Sequence, residues 1–279
     1  VTDRTDAEHP APSVRRIFAL VLAGAVGGLF SGAFGVGGGI IMVPLLVWLV
    51  GLDQRRAAAT SLAAIVPTAI AGSATYLAAG HLDLIAGLLV AAGGIGGSLI
   101  GTRLLRRLPL GWLRWGFIVL LVLIGIRMLL AIPERGSEIL FSPLTIAGLV
   151  VLGLAMGIAA GLFGIGGGVL AVPILIAVFG ASDLVAKGTS LLAMIPTAVT
   201  GSVANLRARL VRPLDGIVVG LVAVPTSFGG AALAFALPPR LASVLFAILI
   251  ALVVVQLTIR AIRLHRRKPD PPDEVGPGD

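Results

Sequence analysis

The residues in this chain best placed to do chemistry are small ones. Phe34-Gly35-Val36-Gly37-Gly38-Gly39 is followed by Pro44, and Phe163-Gly164-Ile165-Gly166-Gly167-Gly168 is followed by Pro173. A glycine inside a helix costs roughly 1 kcal/mol against alanine, so two such clusters within apolar sequence need a physical reason. A helix beginning near Gly39, or near Gly168, would offer unpaired N–H groups and about half a positive charge at its first turn. Glycine also lets a ligand approach the backbone closely. The chemistry implied is anion binding by backbone N–H groups, at Gly35, Gly37, Gly38 and Gly39 and again at Gly164, Gly166, Gly167 and Gly168. The competing reading is close helix packing through small residues. A nucleotide loop is excluded, because no Lys-Ser or Lys-Thr follows either cluster.

Hydroxyls accompany the glycines. Thr60-Ser61 precedes Pro67-Thr68, and Thr189-Ser190 precedes Pro196-Thr197. A proline inside an apolar helix frees a carbonyl, and nearby hydroxyls either satisfy freed groups or donate to a substrate oxygen. Thr60, Ser61, Thr189 and Ser190 are the substrate-contact candidates, against the alternative of helix-to-helix hydrogen bonds. Thr68 and Thr197 are further candidates. So is Lys187, which could draw anions to an outer mouth, although a snorkelling lysine is the commoner case. Asn205 is another, near a helix end that it could simply cap.

What is missing is equally informative. The 13 acidic residues all lie in tails, loops or the first turns of segments, and His9, His81 and His265 are not central. Proton carriers usually show an intramembrane carboxylate or histidine. Cysteine is absent, which removes disulfides, thiolate metal sites and cysteine nucleophiles. No metal site, cofactor site or catalytic set can be assembled, so the chain does not read as an enzyme.

These groups must be positioned by membrane elements. The chain is 57% hydrophobic and only 12% charged, with a mean hydropathy of +1.07. Soluble domains carry about 25% charged residues, so this is the composition of an integral membrane protein. Apolar segments run at about 16–34, 39–50, 57–79, 84–105 and 112–131, then at about 143–163, 168–180, 186–206, 214–236 and 241–261. Several approach or exceed the ~20 residues that span a bilayer. The segments at 39–50 and 168–180 are short, the first covering about 18 Å as a helix against a core of about 30 Å.

The two sets of segments repeat. At an offset of 129 residues (173 less 44), Gly32 matches Gly161 and Thr60-Ser61-Leu62 matches Thr189-Ser190-Leu191. Pro67-Thr68-Ala69 likewise matches Pro196-Thr197-Ala198, Gly72-Ser73 matches Gly201-Ser202, and Pro109 matches Pro238. This is an internal duplication. Five crossings per half, an odd number, would invert the second half. With the N-terminus inside, Arg15, Arg16, Arg55, Arg56, Arg103, Arg106, Arg107, Arg114, Arg207, Arg209, Arg212 and the Arg263 to Lys268 tail all fall inside. That satisfies the positive-inside bias. It also accounts for the net charge of +8 without nucleic acid as a partner.

The predicted fold is therefore all-α. It is a polytopic membrane protein of two inverted-topology repeats, about five hydrophobic segments each, with short glycine-broken helices at the repeat interface. The expected boundaries are a disordered N-terminus at 1–14, a first repeat at 15–132, a linker at 133–142 containing Glu134 and Glu138, a second repeat at 143–262 and a tail at 263–279. Both termini are expected in the cytoplasm, and the composition leaves homo-oligomerisation open. Short, glycine-interrupted segments at matching positions of two inverted halves point to a transporter's midplane site.

At these motifs the chain resembles the sulfite exporter TauE/SafE family, also called the four-toluene sulfonate uptake permease family. The carrying residues are Gly32 to Gly39 with Pro44, Ala57 and Thr60-Ser61-Leu62, and Gly161 to Gly168 with Pro173 and Lys187-Gly188-Thr189-Ser190-Leu191. The resemblance covers roughly residues 18 to 260. It implies a duplicated, polytopic protein of the bacterial cytoplasmic membrane that moves small sulfur-containing anions such as sulfite or organosulfonates.

The functional expectation is a small-anion transporter of the plasma membrane, working as an exporter. Its partners would be the anion, a sulfur oxyanion or organosulfonate, and the lipid bilayer. The alternatives are a channel-like permease for a small neutral or cationic solute and a non-transport membrane assembly protein.

Overall fold

The computed structural model describes residues 14–130, 139 and 141–266. The expectations for the N-terminal stretch 1–13, for the link around Glu134 and Glu138, and for the tail beyond Arg266 lie outside the described residues. Ten helices are described: α1 (Val14–Phe34), α2 (Gly39–Leu49), α3 (Gln54–Ala78), α4 (Leu84–Arg107), α5 (Leu110–Leu130), α6 (Pro143–Phe163), α7 (Gly168–Ala177), α8 (Asp183–Arg207), α9 (Pro213–Ala236) and α10 (Pro239–Arg266). Among the described residues there is no strand. Six helices (α1, α3, α4, α6, α8 and α9) are long and apolar enough to cross a membrane by length and composition.

Capping chemistry explains where the helices begin. The Asp53 side chain accepts from the Arg56 N–H, and the Ser182 side chain accepts from the Val185 N–H. Both satisfy an orphan donor of the first turn. That extends α3 and α8 to Gln54 and Asp183, three residues earlier than the apolar periodicity alone places them. Asp83 caps α4 in the same way through the Ala86 N–H, which is its helix-end role. α2 and α7 differ, because their N-cap residues are Gly38 and Gly167 and no side chain caps them.

Packing exchanges between the halves. α1 lies against α9 as α6 lies against α4, and α3 packs on α9 as α8 packs on α4. α3 packs on α8 and α5 on α10, each with its own equivalent. Glycines make the closest seams. A methyl group on Gly24, Gly28 or Gly32 of α1 would strike the backbone of Val219, Ala223 or Ser227 of α9. One on Gly153, Gly157 or Gly161 of α6 would strike that of Val90, Gly94 or Ser98 of α4. Four-residue spacing places each trio on one helix face, which is how small residues let membrane helices approach. α3 and α8 cross antiparallel, with Gly72 against Leu191, Gly201 against Leu62, and Gly188 against Tyr76.

Candidate functional site

The glycine loops follow α1 and α6 and lead into α2 and α7. Gly35, Gly37 and Gly38 have φ of +67°, +78° and +70°, and Gly164, Gly166 and Gly167 have +71°, +77° and +82°. A side chain on any of them would be strained in this left-handed region. The two loops abut. A Cβ on Gly37 would lie 3.5 Å from Gly166 Cα. One on Gly39 would meet the Gly164 carbonyl, and one on Gly168 would meet the Gly35 carbonyl. Ile65 and Met194, fully buried repeat-mates, flank the contact from α3 and α8.

Backbone donors are left over here. Gly35 N–H donates to Ser31 O and Gly164 N–H to Ala160 O. Among the described residues, no acceptor takes the N–H groups from Val36 to Ile40, nor those from Ile165 to Val169. All of these residues are buried. Unpaired buried N–H groups are rare, and the first turns of α2 and α7 add their dipoles to them.

Two of the hydroxyls come to the same place, already bonded. Ser61 Oγ donates to Gly164 O at 2.9 Å, and Ser190 Oγ donates to Gly35 O at 2.6 Å. Ser190 Oγ also lies 2.9 Å from Lys187 O, and Ser61 Oγ 3.9 Å from Met42 Sδ. Thr189 Oγ1 accepts from the Asp83 N–H at 2.9 Å. Thr60 is buried but lines a separate polar cavity. Thr68 and Thr197 turn back along their own helices, donating to Ala64 O at 2.5 Å and Ala193 O at 2.7 Å.

Two expectations need correction. Lys187 does not snorkel: it is only 3% exposed, and its Nζ bonds Asp183 Oδ2 at 2.7 Å, 6.0 Å from the Phe34 ring centroid. The neighbouring carboxylate one turn back makes burial of the ammonium tolerable. Asn205 does not cap with its side chain. Its backbone carbonyl accepts the Leu210 N–H at 3.1 Å, while both side-chain polar atoms are buried with no partner among the described residues.

Sequence reasoning missed the pairing of Arg16 with Asp215, and it missed Ser31, buried one turn before Gly35 with no partner for its hydroxyl among the described residues. Asp215 is only 3% exposed, although it stands in the first turn of α9. Ser31 has Ala160 as its repeat-mate, so the duplication gave no signal for it.

A duplicated helical core with two buried, donor-rich loops at its centre defines a multi-pass α-helical membrane protein. The chain belongs to the sulfite exporter TauE/SafE family, whose signature matches residues 2–128 and 149–277. It is similar to the probable membrane transporter protein YunE of Bacillus subtilis, 28% identical over 211 residues that cover 67% of this chain and 77% of the relative. YdhB of the same organism, also named a probable membrane transporter protein, is 28% identical over 179 residues, 63% of this chain and 73% of its own. A probable membrane transporter protein of Haemophilus influenzae is 32% identical over 173 residues, 58% of this chain and 63% of its own. The protein is a membrane transporter of this family.

Proposed function

We propose that the protein exports a small anion, sulfite or an organosulfonate, across the plasma membrane, and that the anion is held between the two glycine loops. The observation that carries this reading is the doubled row of buried, unaccepted N–H groups from Val36 to Ile40 and from Ile165 to Val169. Their chemistry suits an oxyanion and disfavours a cation. The antiparallel course of α3 and α8 supports an inverted repeat, because equivalent helices of inverted halves run in opposite directions. Arg55 bonds Leu108 O and Arg106 bonds Ala204 O, which gathers the starts of α3 and α5 and the ends of α4 and α8 at one arginine-rich face. The positive-inside bias supports placing that face in the cytoplasm.

In this reading the abutting loops are a closed state. Ser61 and Ser190 latch each loop by its carbonyl, and when the loops part those hydroxyls turn to the substrate oxygens. Substrate contact between the loops is assigned to Gly35, Gly37, Gly38, Gly39 and Ser61 with their repeat-mates Gly164, Gly166, Gly167, Gly168 and Ser190; Thr60, in the separate polar cavity, and Thr189, bonded to the Asp83 N–H, stand outside it. An anion leaving a negative interior gains about 2.3 kcal/mol per charge per 100 mV, which can drive export.

Flux of sulfite and of an organosulfonate into and out of proteoliposomes, at imposed potentials and without a pH gradient, tests the reading. Saturable flux that grows with potential is expected. Flux equal to that of empty vesicles would overturn anion transport, and flux indifferent to potential would overturn the electrogenic step.

A further inference from the structure

We propose that the chain carries a second anion site, at one end of the molecule, which captures a small oxyanion before it reaches the glycine loops. The inference rests on the anion-transport reading. The site is a polar cavity of about 290 Å³ lined by Arg16, Arg56, Thr60, Arg209, Arg212 and Asp215. It lies where the starts of α1 and α3 meet the α8–α9 connection.

Charge and unused polarity point the same way. Four arginines and one aspartate line the cavity; Asp215 is bonded to Arg16, and the exposed Arg56 has its Nε 3.6 Å from Asp53 Oδ2. A guanidinium presents a planar fork that matches oxyanion geometry. Thr60 is 1% exposed and lines the cavity. Its repeat-mate Thr189, by contrast, holds the Asp83 N–H. Asn205, whose side-chain amide has no partner among the described residues, fixes the cavity-lining Leu210 through its carbonyl.

The backbone at Arg209 is the second observation. Arg209 has φ +54° and is the only non-glycine with positive φ among the described residues. Its repeat-mate is Gly80, φ +74°, in the same helix-ending turn. Gly80 N–H donates to Leu77 O and His81 N–H to Tyr76 O, as Arg209 N–H donates to Leu206 O and Leu210 N–H to Asn205 O. Glycine is the low-strain residue for that position. An arginine kept there in spite of the strain marks a functional use of its side chain.

The cavity's chemistry is not duplicated. The residues equivalent to Arg16, Arg56, Arg209, Arg212 and Asp215 are Thr145, Val185, Gly80, Asp83 and Ala86. Among the described residues the basic vestibule thus has no counterpart at the equivalent place, and its side is where the anion is loaded. A positively lined cleft raises the local anion concentration and so lowers the concentration needed for half-maximal flux from its own side.

The test uses the full chain in phosphatidylcholine nanodiscs, titrated with sulfite under argon by calorimetry. Arg209→Gly and Arg56→Gln are expected to weaken binding by about tenfold or more, the scale of one lost charge-assisted bond. Arg207→Gln, which removes the same charge from outside the cavity, is expected to leave binding unchanged. Equal weakening by Arg207→Gln would reduce the effect to general surface potential and overturn the site. Wild-type affinity in Arg209→Gly and Arg56→Gln would overturn it too. Loss of sulfite binding when phosphatidylglycerol is added would identify a lipid headgroup as occupant and overturn the capture role. Flux separates this inference from the transport reading. If wild type moves sulfite and Arg209→Gly does so with unchanged half-saturation, the second site fails and transport stands. If wild type moves no sulfite but binds it through Arg209, transport fails and the anion site stands.

Discussion

Ser61 on α3 donates its hydroxyl proton to the carbonyl of Gly164, in the glycine loop of the other half, and Ser190 on α8 does the same for Gly35. Each half therefore fastens the other half's loop. The bonds are buried, so deleting one leaves a carbonyl without a partner in a dry interior. Ser61→Ala and Ser190→Ala should each lower the unfolding free energy by about 1 kcal/mol. Because the two loops touch, the double variant should depart from additivity. Thermal unfolding in detergent measures the first effect and a double-mutant cycle the second. Sulfite flux should fall further in the double variant than the stability loss explains, since both hydroxyls are the proposed substrate donors of the open state.

The glycine loops offer a controlled comparison of strain with packing. Gly37 and Gly51 have nearly the same φ, +78° and +77°. A Cβ at Gly37 would meet Met194 Sδ at 2.8 Å, whereas one at Gly51 would meet nothing within 4 Å. Gly51→Ala should therefore cost only the left-handed backbone penalty, about 1–2 kcal/mol. Gly37→Ala adds overpacking at the loop contact, about 1–3 kcal/mol more. Flux per folded molecule should survive in Gly51→Ala and be lost in Gly37→Ala. Equal loss of folded protein and flux at Gly37 would make the cluster a packing seam and not a binding site.

Much of this architecture was legible in the sequence, because the duplication reports itself twice. The order of the segments, the short α2 and α7, and the pairing of Thr60-Ser61 with Thr189-Ser190 follow from apolar runs and the 129-residue offset; the capped starts of α3 and α8 and the Ser61 and Ser190 bonds to the loop carbonyls do not. The glycine seams were not extracted, although Gly24, Gly28 and Gly32 recur as Gly153, Gly157 and Gly161 at helical spacing. Their signal was four-residue periodicity, which is muted where 38 glycines fill the chain. Features that break the symmetry were harder. Lys187 has Ala58 as its mate, Asn205 has Tyr76, and Arg209 has Gly80. For these, only the fold shows which side chains meet a partner: Tyr76 reaches Gly32 O at 2.8 Å, and the shorter Asn205 reaches no partner among the described residues.

The Lys187–Asp183 pair is one such asymmetric feature, with side chains 3% and 12% exposed. Removing one partner strands a charge in a low-dielectric setting, which typically costs about 3–5 kcal/mol. Asp183→Asn and Lys187→Met should each lower the unfolding midpoint sharply. The double replacement should recover most of the loss, because an uncharged pair of similar volume avoids the desolvation cost. Thermal unfolding of the four proteins in one detergent reads this directly. Additive losses in the double variant would mean that the two charges act apart.

Arg209 gives the case where stability and function should move in opposite directions. The left-handed backbone at φ +54° costs a non-glycine residue about 1–2 kcal/mol. Glycine relieves that strain but raises the unfolded chain's entropy, which returns about 0.4–1 kcal/mol. The net expectation for Arg209→Gly is an unfolding midpoint equal to or above that of wild type, since the turn's two backbone bonds, to Leu206 O and Asn205 O, need no side chain. Gly80→Ala, at the equivalent turn with nothing within 4 Å of its Cβ, should show the reverse and lower the midpoint. A stabilised Arg209→Gly protein with weakened sulfite binding would show that the arginine is held there for the anion and not for the fold. A destabilised one would mean that the guanidinium contributes more to the α8–α9 turn than its backbone conformation costs.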